Sequence, residues 1–118
     1  MVQILDVMHK ALEGKPMSET DYQLRLFASK VTEKVKEYDI KFDPKTPIPD
    51  DPSLADDVFK AAFDLVVDVG AYCTDTNRVI SYTDKEVRNA LKFAPSELWF
   101  GDGKERKLMK TRSVGDKS

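Results

Sequence analysis

The sequence predicts a mainly α fold with a small β element (α+β): about four helices, then a short strand and a hairpin near the C-terminus. Three observations predict it. Apolar residues recur at helical spacing in four separate stretches. Capping residues, glycines and prolines stand where those stretches begin and stop. Only between residues 78 and 109 does the pattern change, to alternation and to short apolar runs on either side of a Gly-Asp-Gly turn.

The first helix is expected over residues 2–13, where Ile4, Leu5, Met8, Ala11 and Leu12 share one face and Gly14 with Pro16 supplies a stop. Ser18 to Gln23 then offers overlapping caps, with Thr20 and Gln23 matching the capping box. The helix it opens should bury Leu24, Phe27, Ala28, Val31, Val35 and Tyr38 and leave Lys30, Glu33, Lys34, Lys36 and Glu37 in water. Residues 39–53 hold four of the six prolines, which restrict their own φ and disfavour helix before them, so this stretch is a Pro-rich connector. Its Ile40, Phe42 and Ile48 are apolar enough to lie against the domain surface.

A third helix, capped by Ser53 or an aspartate before it, should run from Leu54 to Val69. It carries one apolar stripe of Leu54, Val58, Ala62, Leu65, Val66 and Val69 and a second of Phe59, Phe63 and Val67, which makes it the central element. Gly70 follows the last periodic residue, the usual place for a left-handed stop. Arg78 to Tyr82 alternates and is β-branched, as a short strand would be. Thr83 and Glu86 form a second capping box, opening a helix over 84–93 that Pro95 ends. Leu98-Trp99-Phe100 and Lys107-Leu108-Met109 flank Gly101-Asp102-Gly103 as the arms of a hairpin. Residues 104–118 form a basic tail.

The 118 residues are 41% apolar and 34% charged, which suits one compact unit with solvated faces. A net charge of −2 lacks the basic surplus that displaces phosphate counterions, so a dedicated nucleic-acid binder is not expected. No apolar run approaches the roughly 18 residues of a bilayer span, so no membrane segment is expected. A lone cysteine and a charged N-terminal stretch point to the cytoplasm.

Chemistry-bearing residues are few. Cys73 needs a nearby base or cation to act as a nucleophile, and the single histidine, His9, lies far away in sequence on a different helix, so a small buried apolar group is the plainer reading. One cysteine and one histidine also fall short of a structural zinc set. Thr74, Asp75 and Thr76 have side chains that tie turns to their own backbone. Asp64 and Asp68 sit one helical turn apart, which reads first as a solvated face. Arg106, Lys107, Lys110 and Arg112 near Trp99 and Phe100 suit a solvated strand edge or an acidic neighbour better than nucleic acid. No catalytic residue and no metal ligand set is expected. The binding candidates are Asp75 and Arg78 in the loop after the third helix and Arg112 in the tail.

Two strings, GAYCTDTNRVISYTDKEV and KTRSVGDK, together with the helix FKAAFDLVVDVG before the first, resemble the N-terminal part of the monomethylamine methyltransferases of methanogenic archaea. The likeness covers most of residues 54–117. That family's pattern has a histidine at the position of Asn77. The resemblance implies a (β/α) barrel enzyme that uses pyrrolysine to move the methyl group of monomethylamine onto the corrinoid of a partner protein. It assigns the pyrrolysine and the barrel floor to no position in these residues, so it implies a helical N-terminal region without catalytic residues or a cofactor of its own. Its partners would be a barrel domain or subunit and a corrinoid protein, with a homo-oligomer allowed. The alternative is a stand-alone helical binding module that presents Trp99, Phe100 and the basic strand. A further alternative is an enzyme using Cys73 or Asp75. A segment of a larger protein should leave a wide apolar surface open, whereas a free module should hide it.

Overall fold

The computed structural model describes residues 3–113 and 115–117, so Val2 of the predicted first helix and Val114 and Ser118 of the tail lie outside it. The elements run in the order α1 (Ile4–Glu13), β1 (Lys15–Pro16), a π-helical segment (Asp21–Phe27) continuing into α2 (Ala28–Glu37), α3 (Pro52–Val69), β2 (Ala71–Cys73), β3 (Arg78–Ile80), α4 (Asp84–Lys92), β4 (Glu97–Phe100), a 3-10 turn (Gly103–Glu105) and β5 (Lys107–Lys110). The strands form an antiparallel three-stranded sheet, β1-β3-β2, and a separate β4-β5 hairpin.

Local rules account for most boundaries. Asp51 caps α3: its Oδ1 accepts from the amides of Ser53 at 3.0 Å and Leu54 at 3.2 Å. Pro52 fills the first helical position, where its missing amide hydrogen leaves nothing unsatisfied. Gly70 ends the helix at φ 62° and ψ −142°, a region that a Cβ disfavours. Thr83 and Glu86 make the expected box, with the Glu86 amide donating to Thr83 Oγ1 at 3.2 Å and the Thr83 amide to Glu86 Oε2 at 2.8 Å. The hairpin pairs Leu98 with Met109 and Trp99 with Leu108.

Four expectations need correction. Thr20 does not cap the second helix: its own backbone is already helical, Ser18 Oγ accepts from the Asp21 amide at 3.1 Å, and Gln23 bonds Glu19 instead. The stripe of α2 is also displaced, because the wider π turns advance its register. Tyr22, Leu26, Lys30, Val31, Lys34 and Tyr38 are half-buried, while Leu24, Phe27 and Val35 are exposed. In α3 only Ala61 and Val69 are fully buried; Val58, Phe59, Ala62 and Val66 face solvent. The connector leaves Phe42 75% and Ile48 89% exposed, since its prolines hold it extended over an open hollow lined also by Leu54 and Val58.

Strands β1 and β2 had no sequence signature, being two and three residues long. They exist because β3 offers both edges: Lys15 and Pro16 pair with Val79 and Arg78, while Ala71 to Cys73 pair with Ile80 to Arg78. The C-terminus of α2 closes through Asp39 at φ 49°, with the Ile40 amide donating to Val35 O at 3.0 Å. This is a Schellman-type end built on aspartate where glycine is commoner.

Among the described residues the buried side chains are Ala61 and Val69 of α3 and Val79 and Ile80 of β3. The radius of gyration is 18.0 Å, against about 13–14 Å for a compact chain of this length. The accessible surface is 9687 Å² for 13.4 kDa, where a compact monomer would expose roughly 6500 Å².

Candidate functional site

The loop 74–77 between β2 and β3 gathers most of the sequence-predicted residues, and its geometry shows what they do. Asn77 adopts φ 51°, closing the turn that returns the chain from β2 into β3. Thr76 Oγ1 donates to Ala11 O at 2.6 Å, and Arg78 Nη1 donates to Gly14 O at 2.6 Å. Both carbonyls lie at the C-terminal end of α1, where helical acceptors lack intrahelical donors and a cation is favoured. Tyr72 Oη donates to Met17 O at 2.8 Å and lies 3.0 Å from Asn77 Oδ1, and the Met17 amide donates to Asn77 O at 3.0 Å. The loop is therefore a clasp around residues 11–17, the end of α1 and β1.

Within it the Cys73 thiol is half-buried and held below the usual thiol range, chiefly by the Thr76 side chain and then its backbone. No base stands over the thiol among the contacts of the described residues, and His9 is exposed on α1. Asp75 is exposed at the tip of the turn, Arg78 is half-buried on β3 with its guanidinium on the C-terminal end of α1, and Arg112 is exposed beyond β5 on the other sheet. The fold brings Asp75 and Arg78 into one turn and leaves Arg112 apart from them. Among the described residues no cluster of three or more histidine, cysteine, aspartate or glutamate side chains has the spacing to hold a metal ion.

Two charged clusters escaped the sequence reading. Between α2 and α3, Lys34 Nζ stands 3.0 Å from Glu37, 3.5 Å from Asp68 and 3.9 Å from Asp64, and Tyr38 donates to Asp64. The Glu37 hydrogen bond, with Asp68 and Asp64 nearby, pushes the Lys34 ammonium up to about 12. Asp64 and Asp68 are thus part of a helix-to-helix ladder and not a free solvated face. Between α1 and α4, Lys10 Nζ meets Glu86 Oε1 at 2.6 Å and Ser81 O at 3.0 Å. The lysine and then the Thr83 amide draw the Glu86 carboxyl down to about 2. Neither pair leaves a sequence trace, because its partners are 26 to 76 residues apart.

On the hairpin, the Arg106 guanidinium lies 4.7 Å over the Trp99 ring and Lys110 pairs with Glu97 at 3.1 Å, so much of the basic strand is engaged by the hairpin itself. An open cleft of about 460 Å³ beside α4 is lined by Asp6, Asp84 and Glu86 as well as Lys85, Arg88 and Lys92. Its mixed charge selects no ligand sign. These arrangements all join elements, and none brings a nucleophile, base and oxyanion donor together.

The family profile described as Monomethylamine methyltransferase MtmB matches residues 2–118. The chain is 33% identical over 113 residues to monomethylamine methyltransferase MtmB2 of Methanosarcina barkeri (strain Fusaro), covering 96% of this chain and 24% of that protein. It is 30% identical over 112 residues to MtmB of Methanosarcina mazei, again covering 24% of the relative. The crystal structure of the M. barkeri monomethylamine methyltransferase superposes with a TM-score of 0.88 at 32% identity, over 97% of this chain and 25% of that one. The solved hydroxylamine complex of MtmB superposes equally well. The chain spans about a quarter of the length of the relatives it matches. With nearly its whole length aligned in both sequence and fold, the chain belongs to the monomethylamine methyltransferase family.

Proposed function

We propose that this chain is the N-terminal, mainly helical segment of a monomethylamine:corrinoid methyltransferase. Its apolar faces pack on a catalytic (β/α) barrel, and the methyl group passes from monomethylamine to a corrinoid protein outside the segment. The segment contributes structure and contact surface. It holds no cofactor of its own, the corrinoid being carried by the partner protein.

The observation that carries this reading is the uncovered surface. The chain exposes about 3000 Å² more than a compact monomer of its mass would. That excess is well above the ~800 Å² per partner of a standard interface. Much of it is apolar: Ile4 is 83% exposed, and Leu5, Leu12, Leu24, Phe42, Ile48, Phe59, Phe93 and Trp99 are exposed with it. Among the described residues only four apolar side chains are fully buried. A module built to stand alone would hide such surface. The relatives, about four times longer, contain the additional chain that would cover it.

The test is a domain replacement. The purified chain alone, given monomethylamine and a reduced corrinoid protein, is expected to transfer no methyl. Fused in front of the remaining three quarters of the M. barkeri relative, it is expected to support transfer that the truncated relative lacks. Transfer by the isolated chain, or a fusion no better than the truncated relative, would sink the reading.

A further inference from the structure

Residues 3–17, α1 followed by β1, lie along β3 as a strap. No residue of the strap is fully buried; Val7, Lys10, Ala11, Gly14 and Met17 are half-buried and the rest exposed. It nevertheless packs on β3, the strand that carries two of the four buried side chains, Val79 and Ile80. Its fastenings are polar. They are the Lys10–Glu86 pair, Lys10 to Ser81 O, Thr76 to Ala11 O, Arg78 to Gly14 O, Tyr72 to Met17 O and the Met17 amide to Asn77 O. Every one of these reaches the segment 72–86.

The β1–β3 ladder is itself weak. It is two residues long, and one of them, Pro16, has no amide hydrogen to donate. Elements that bury little apolar surface and rely on half-exposed hydrogen bonds open locally at a free energy below that of the whole fold. By contrast α3 contributes Ala61 and Val69 to the buried set.

We propose that the α1–β1 strap opens as one unit, with its joint at Met17–Ser18, while α3 and the β2–β3 pair stay folded. Opening uncovers one edge of β3 at Arg78 and Val79. The closed strap guards that edge, and the side chains of the 72–86 segment set how often it is free. The inference concerns the strap in this chain by itself, apart from the barrel contact of the proposed function, which would cover Ile4, Leu5 and Leu12 of α1.

Amide hydrogen exchange on the full chain tests it. Amides of α1 between Val7 and Glu13 should exchange at least about tenfold faster, after correction for intrinsic rates, than those of α3 between Ala61 and Val69. Thr76→Val and Glu86→Gln should each raise α1 exchange about tenfold, the effect of losing one buried or charged hydrogen bond, and leave α3 unchanged. Equal protection in α1 and α3, or variants that speed both alike, would overturn the proposal.

Discussion

Lys10 and Glu86, separated by seventy-six residues of sequence, meet at 2.6 Å and tie α1 to α4. The two carboxylate oxygens divide the work: Oε1 takes the lysine, while Oε2 accepts from the Thr83 amide and hydroxyl at the start of α4. One side chain thereby serves as both a helix cap and a tertiary fastening.

That double role predicts an acid sensitivity. The folded Glu86 carboxyl lies near 2 rather than at its ordinary value of 4.5, so the unfolded chain takes up the proton first. Its stabilising contribution is complete above the ordinary carboxylate range and is lost as pH falls from about 4.5 towards 2. Urea denaturation near neutrality and in acid should show a smaller difference for Glu86→Gln than for the native chain. Thr83→Ala, which removes the other half of the box, should cost about 1 kcal/mol at neutral pH.

The small buried set makes the chain unevenly tolerant. Ile80→Ala removes atoms from one of four buried positions and should cost about 3 kcal/mol. Ile48→Ala, at an 89% exposed position, should change stability by less than about 0.5 kcal/mol. Denaturant midpoints measured on the two variants separate these outcomes, and similar losses would mean that Ile48 is covered in solution.

Two glycines are predicted to resist substitution for different reasons. At Gly14 the backbone is ordinary, but an added Cβ would overlap the Val79 carbonyl oxygen and the Lys10 carbonyl oxygen, both backbone atoms. At Gly70 the Cβ would meet the Ile80 carbonyl oxygen, and φ is also 62°. Alanine at either site should cost more than about 1 kcal/mol. Gly103, with nothing within 4 Å of its Cβ position, should be the milder change in a thermal melt.

Cys73 should report on the clasp. Thr76, by its side chain first and then its backbone, holds the thiol low, so Thr76→Val should move it upward in pH. The rate of alkylation by iodoacetamide, followed against pH, should inflect at a higher value in the variant. An unchanged inflection would show that Thr76 does not control the thiol.

Much of the element order was readable because its determinants are local. The Thr83–Glu86 box, the Gly70 stop and the Gly-Asp-Gly turn each act within about four residues. The start of the second helix was misassigned for a related reason: Ser18 and Thr20 are both competent caps, and only the chain's path selected Ser18. The π-helical segment had no sequence mark, and Leu24 and Phe27 within it are exposed. Of the binding candidates, Arg78 donates to Gly14 O of its own chain.

By itself the sequence determined four helices, the caps of α3 and α4, the Gly70 stop, the hairpin, and the strings GAYCTDTNRVISYTDKEV and KTRSVGDK that carry the family likeness. The tertiary structure decided that β3 would gain a strand on each edge, that α2 would meet α3 through Lys34, Asp64 and Asp68, and that loop 74–77 would clasp α1. It also decided that most apolar faces would stay uncovered. The physical reason is range. Backbone capping and turn chemistry are satisfied between near neighbours, whereas burial and ion pairing depend on which distant surfaces meet, and periodicity can identify an apolar face without naming what will cover it.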